Sequence, residues 1–240
     1  SLLSRIDSLD GTLQAWVTID QEEVLTTARL KEEELESGNS LGILHGVPVG
    51  LKDIFYTAGM KTTACSRIFA DFVPGYDATS VVKLKEAGAI ILGKAVTTEF
   101  ATSDPSPTRN PWNLAHTPGG SSSGSSVAVS VGMVPAALGS QTGGSTCRPA
   151  AYNGIVGLKP TYGRISRYGV IPVSWSLDTV GILVRTVDDA AVMLQAMAGH
   201  DPKDPGSSDQ PVPDYRAQMK EFDRPPKIGI LRDYFFDRSS

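Results

Sequence analysis

The sequence predicts an α/β fold. Three observations carry that prediction. Segments with helical periodicity alternate with short apolar runs along the chain. One such pair, a helix over 79–87 followed by Gly88 and a β-rich run over 89–92, has its glycine where a helix C-cap hands over to a strand. The composition, 40% hydrophobic and 20% charged over 240 residues, is that of an ordinary globular chain, long enough for one large domain or two small ones.

Residues 1–37 read as helical. Leu2, Leu3, Ile6 and Leu9 share one helical face, and 22–36 carries the mixed charge of a solvated covering helix. Residues 47–54 are a short apolar run with Lys52 and Asp53 embedded in it. Beyond the 79–92 unit, 104–118 contains four prolines, 119–126 is a Gly/Ser tract, and 127–138 is an apolar run ending in a strand over 134–138. Pro149, Ala150 and Ala151 look like the first turn of a helix. Residues 187–198 form an amphipathic helix with Asp188 and Asp189 in its first turn, where the helix dipole favours acids. Residues 200–213, rich in Asp, Pro and Gly, are a loop, and 228–231 is a strand needing neighbours. With both ends opening onto unfinished patterns, the expectation is a single domain over 1–240 that is an incomplete portion of a longer chain.

The charge balance, 22 basic against 26 acidic residues and a net −4, favours neither nucleic acid nor an anionic membrane surface. No apolar run approaches the roughly 18 residues of a membrane span, and residues 1–10 lack the pattern of a signal peptide. Cys65 and Cys147 read as free thiols of a reducing compartment, so a cytoplasmic location is expected. His45, His116 and His200 have no ligand spacing, so a zinc site is not expected.

The Gly/Ser tract admits several readings. A flexible linker fits the composition, but the tract runs without a break into Val127-Ala128-Val129. A phosphate loop would need a following lysine, which is missing. A nucleophile elbow, Gly120-Ser121-Ser122-Ser123-Gly124, would permit a triad of Ser122, Asp178 and His200, but the residues before it are not a strand. The second cluster, Gly139-Ser140-Gln141-Thr142-Gly143-Gly144-Ser145, follows a predicted strand and precedes a predicted helix. Consecutive glycines there can turn several N–H groups inward beside a serine, as an oxyanion hole requires; on local grounds a tight loop without chemistry is the alternative.

These two clusters, with Pro149-Ala150, Gly154-Ile155-Val156-Gly157-Leu158-Lys159-Pro160-Thr161, Gly46-Val47-Pro48-Val49-Gly50-Leu51-Lys52-Asp53 and Ser176-Leu177-Asp178-Thr179-Val180-Gly181, closely resemble the amidase signature family, in order along most of the chain. The resemblance implies a twisted mixed central sheet covered by helices on both faces. It implies hydrolysis of a carboxylic amide to acid plus ammonia or amine, without a cofactor. Carried over, Ser145 is the nucleophile, Ser121 the bridging serine after a cis Gly120–Ser121 bond, and Lys52 the base. The backbone of Thr142, Gly143, Gly144 and Ser145 is the oxyanion hole.

A lysine can replace histidine as the base only when neutral, and the apolar run around Lys52 favours the neutral amine; the plainer role is a structural lysine paired with Asp53. Many family members carry an acid at the position of Gln141 and an arginine at that of Cys147. The Gln141–Ala150 block therefore looks more like small-molecule, malonamidase-type amidases than the A-type component of a tRNA-dependent amidotransferase. Substrate contacts are expected from Arg148 as a carboxylate clamp, from Ser122 and from Thr102, with 97–103 along the acyl pocket. Arg148 holding a neighbouring loop, and Asp178 and Lys159 in structural roles, are the plainer readings. The expected partner is a small-molecule amide, not nucleic acid or membrane, with a homodimer left open. Rivals are the amidotransferase component, an ester or urethane hydrolase, and a catalytically dead binding protein.

Overall fold

The computed structural model describes residues 1–39, 42–221, 225–230 and 236. Strands β1 (Trp16–Thr18), β2 (Pro48–Lys52), β3 (Ile90–Ala95), β4 (Ala136–Gln141), β5 (Val156–Leu158) and β6 (Thr179–Val184) form one sheet in the order β1-β3-β2-β4-β6-β5. The central β2 runs parallel to both β3 and β4, while β1, β6 and β5 join antiparallel. The mixed sheet expected from the resemblance is therefore present.

Helices α1 (Leu2–Leu13), α2 (Gln21–Glu36), α3 (Thr79–Glu86), α4 (Ser123–Ser130), α5 (Cys147–Asn153), α6 (Val187–Met197) and α7 (Tyr215–Lys220) accompany it. Alternation along the strands feeds two cores. Leu138 and Ile182 pack with Val81 and Leu84 of α3 and Leu194 of α6. Ala137 and Leu183 face the other way, onto Val127 and Val129 of α4 and Leu13 of α1. Both faces are covered.

Local chemistry explains most boundaries. Thr186 caps α6 by accepting the Asp189 N–H, and Gly88 leaves α3 with a φ of 89°. The continuous helix expected over 1–37 is instead broken: Gln14 turns left-handed, the Asp10 carboxylate accepts the Ala15 N–H at 2.7 Å, and β1 forms before α2 begins. The strand expected over 134–138 starts and ends later, at Ala136–Gln141. Helix α5 begins at Cys147, two residues before Pro149. Strands β5 and β6 and helix α7 were not anticipated. Among the described residues of the strand expected over 228–231, Ile228 and Ile230 are exposed and outside any strand; Leu231 lies outside the described residues.

The Gly/Ser tract is not a linker. Helix α4 begins inside it and is buried along 123–129. Its hydroxyls tie neighbouring elements together: Ser125 donates to Leu138 O at 2.9 Å and Ser126 to Pro149 O at 2.8 Å.

Candidate active site

The site forms at the carboxyl ends of β2 and β4. Pairing of Leu51 with Leu138 sets these two parallel strands in register near their carboxyl ends, with β4 running on past the level of Lys52 to Gln141, at the edge where open α/β sheets place their ligands. Lys52, the last residue of β2, is fully buried. Its Nζ donates to Ser121 Oγ at 2.7 Å and to Ser140 Oγ at 2.8 Å. Loss of hydration pushes its pKa from 10.5 down to about 7, against a smaller upward pull from the charges of Asp178 and Cys65. No ion pair joins it to Asp53, because successive side chains leave the strand on opposite sides. The Asp53 carboxylate instead accepts the Thr63 hydroxyl at 2.5 Å and the N–H groups of Thr63 and Cys65, and burial raises its pKa.

Ser121 is buried and follows a cis peptide bond from Gly120. Its carbonyl accepts the Thr98 N–H at 3.2 Å. The next N–H, of Ser122, donates to Ser145 O at 3.2 Å, so the segments bearing the two serines lie directly against each other. Ser140 was missed in the sequence. A hydroxyl at the end of one strand becomes a partner for a lysine at the end of another only once the pairing of β2 with β4 is known.

The loop over 142–145 is built to present N–H groups. Gln141 Oε1 accepts the N–H groups of Thr146 and Cys147, both at 2.9 Å, and Arg148 N donates to Gly144 O at 2.9 Å. Among the described residues, the N–H groups of Gly143, Gly144 and Ser145 donate to no protein acceptor. Neither glycine has positive φ. A Cβ would meet nothing within 4 Å at Gly143 and only Arg148 Cβ, at 3.8 Å, at Gly144. Packing within the fold therefore does not require glycine at either place.

A family model described as Amidase matches residues 1–240. The chain belongs to the amidase family. Among curated relatives, this amidase chain is 49% identical over 241 residues to the A component of the Glutamyl-tRNA(Gln) amidotransferase of Moorella thermoacetica, covering 98% of this chain and 50% of that protein. It is 48% identical over 243 residues to the same-named protein of Geobacter metallireducens, covering 99% and 50%. Among solved structures, the peptide amidase of Stenotrophomonas maltophilia matches with a TM-score of 0.85 at 41% identity, over 91% of this chain and 48% of that one. The A component of the Glutamyl-tRNA(Gln) amidotransferase of Thermotoga maritima matches with a TM-score of 0.77 at 40% identity, over 88% and 45%. The chain thus spans about half the length of the curated relatives it matches. These curated matches carry the name of the amidotransferase component, the rival reading of the sequence.

Several expected residues of the amidase site sit elsewhere. Ser122 is fully buried, and its Oγ exchanges hydrogen bonds of 3.2 Å with the Ser140 backbone; it supports β4 instead of touching a substrate. Arg148 donates from Nε at 3.2 Å and Nη2 at 2.6 Å to Gly120 O, so it clamps the peptide before Ser121, the loop-holding role. Thr102 is exposed and its hydroxyl donates to Glu99 O at 2.6 Å, closing the short 3-10 turn Glu99–Ala101. The elbow triad is not assembled: Ser122 is committed to β4, Asp178 to Thr142 and a turn, and His200 is exposed. Lys159 donates to Pro160 O at 2.7 Å, a structural contact. Burial raises the Cys65 thiol to about 11, which makes it inert near neutrality. Among the described residues, no group of three or more His, Cys, Asp or Glu side chains is placed to hold a metal ion, and no helix is long and apolar enough to cross a membrane.

Proposed function

We propose that this chain carries the nucleophile, base and oxyanion loop of an amidohydrolase that works through a serine acyl-enzyme. The observation that carries the reading is Lys52: fully buried, near neutrality in pKa, and 2.7 Å from Ser121. A neutral amine there can accept the Ser121 proton while Ser121 takes the proton of Ser145. Ser145 Oγ then attacks the amide carbon. The N–H groups of Gly143, Gly144 and Ser145 receive the charge that develops on the carbonyl oxygen. Return of the proton through Ser121 to the leaving nitrogen releases ammonia or amine, and water, deprotonated along the same path, cleaves the ester. The Ser140 hydroxyl holds the amine in place. Intact mass spectrometry after incubation with a fluorophosphonate tests the reading: one adduct on Ser145, lost in Ser145→Ala, is expected, and an adduct on Ser122 would sink it.

The substrate follows from less. A small-molecule amide is the reading that the resemblance of the Gln141–Ala150 block suggests, while the names carried by the curated relatives favour a second reading as the A-type component of an amidotransferase, working with protein partners. Ammonia release from glutamine, malonamate and peptide amides, measured with and without co-purifying proteins, separates the two: activity that appears only with partners favours the amidotransferase.

A further inference from the structure

The oxyanion loop is anchored at both ends by side chains, and only one anchor lies within its own segment. Downstream, Gln141 Oε1 holds the N–H groups of Thr146 and Cys147. Upstream, the ladder between β4 and β6 ends at the pair Gln141 and Thr179. The next two positions, Thr142 and Asp178, continue it through side chains: the Thr142 hydroxyl donates to Asp178 Oδ1 at 2.5 Å. The second carboxylate oxygen accepts the N–H groups of Val173 at 2.7 Å and Ser174 at 2.8 Å. One carboxylate therefore joins the start of the loop to the turn over 173–178.

Resting on the acyl-enzyme reading above, we infer that Asp178 is a positioning residue for the oxyanion hole, acting through the Thr142 hydroxyl. Donors to an oxyanion act over a narrow range, roughly 2.7–3.1 Å from the developing charge. Residues 143–145 are held through their carbonyls, which accept from Gln141 Nε2 at 3.4 Å, Arg148 N at 2.9 Å and Ser122 N at 3.2 Å, and none of these bonds fixes the entry to the loop at Thr142. The upstream anchor supplies what the loop lacks. An acid that only fixed the turn would need its two backbone donors and the Asp178 N–H bond to Ser174 O at 2.9 Å, and would have no use for Thr142.

Two substitutions separate the two roles. Thr142→Val removes the link and leaves every contact of Asp178 with the turn. Asp178→Asn keeps the shape and loses an acceptor. Each is expected to lower kcat on a primary amide by about tenfold to a hundredfold, as displaced catalytic groups do. KM should stay within about twofold. Inhibition by a trifluoromethyl ketone, whose adduct places an oxyanion in the hole, should weaken by the same factor as kcat, and the double variant should be no worse than the poorer single one. The inference is overturned if Thr142→Val leaves kcat and ketone inhibition within about twofold of the parent, or if the two losses multiply. Should Asp178→Asn fail to fold, Thr142→Val still decides. Absence of fluorophosphonate labelling at Ser145 in the parent protein would instead remove the acyl-enzyme reading itself, and the inference with it.

Discussion

The floor of the site and the loop in front of it are both made of glycine and serine, yet they use these residues for opposite reasons. In the floor, glycine is there because nothing larger fits. A Cβ on Gly139 would lie 2.7 Å from Ser122 Oγ, one on Gly181 would collide with the Thr146 side chain, and one on Gly124 with the backbone of Ala15 and Val96. Ser125 and Ser126 of α4 are buried and spend their hydroxyls on other elements. In the loop, a Cβ would meet nothing within 4 Å at Gly143 and only Arg148 Cβ at Gly144, and among the described residues their backbone donors have no protein partner. The floor is packed against its neighbours, while the loop leaves space beside its glycines. The difference teaches that the same residue types serve packing in one place and leave backbone open in another, and that the surroundings, not composition, tell the two apart.

The largest effects are expected where floor and loop meet. Lys52→Ala and Ser145→Ala should each cost at least about 10⁴-fold in kcat, and Ser121→Ala a comparable amount, because such residues act as a unit. His200→Ala should stay within about twofold. Full loss in His200→Ala with activity kept in Ser145→Ala would return the elbow triad to contention.

The next experiment sets the two regions against each other. Gly139→Ala should destabilise the protein by about 1–3 kcal/mol or more, as overpacking of a filled core does. Gly143→Ala should leave the urea midpoint unchanged and lower kcat by about tenfold to a hundredfold. Equal destabilisation by both substitutions would erase the distinction between the regions.

The pH dependence sharpens the role of the floor. With Lys52 near 7, kcat/KM should rise through about pH 7 as the amine loses its proton. Stability linkage has the same sign. Between about 7 and 10.5 the unfolded chain binds more protons at this residue than the folded one, so the contribution of Lys52 to stability increases with pH across that window. Lys52→Met should therefore stabilise most below pH 7, where the parent protein holds a charged amine in its interior; an unfolding midpoint unaffected by pH in both proteins would argue against a neutral lysine.

The smallest effect concerns Arg148. As a clamp on Gly120 O it should, when changed to Ala, lower kcat/KM on anionic and neutral amides by about the same factor. A loss confined to anionic amides would restore its role as a substrate contact.

Much of this arrangement was legible in the chain. Blocks around Lys52, Ser121 and Ser145 pointed, through their resemblance to the amidase signature family, to the groups used in the proposed mechanism, and the fold brings Lys52 to Ser121. Helix periodicity gave α3 and α6 to within a residue or two. Elements that owe their existence to distant pairing were not legible. The three residues of β1 are a strand only because β3 receives them, and α4 emerges from a tract whose composition reads as a linker because its small residues fit between Val96, Leu138 and Pro149.

The same division holds for the site. By itself, the sequence determined which residue types could attack, accept a proton and stabilise an oxyanion, since those properties belong to side chains and to short stretches of backbone. Only the tertiary structure decided that Lys52 faces Ser121 and Ser140 and not Asp53, that Arg148 and Ser122 are committed to holding backbone, and that Asp178 reaches Thr142. Those choices depend on strand register and on which side of a strand end a side chain leaves, and both are set by partners far away along the chain.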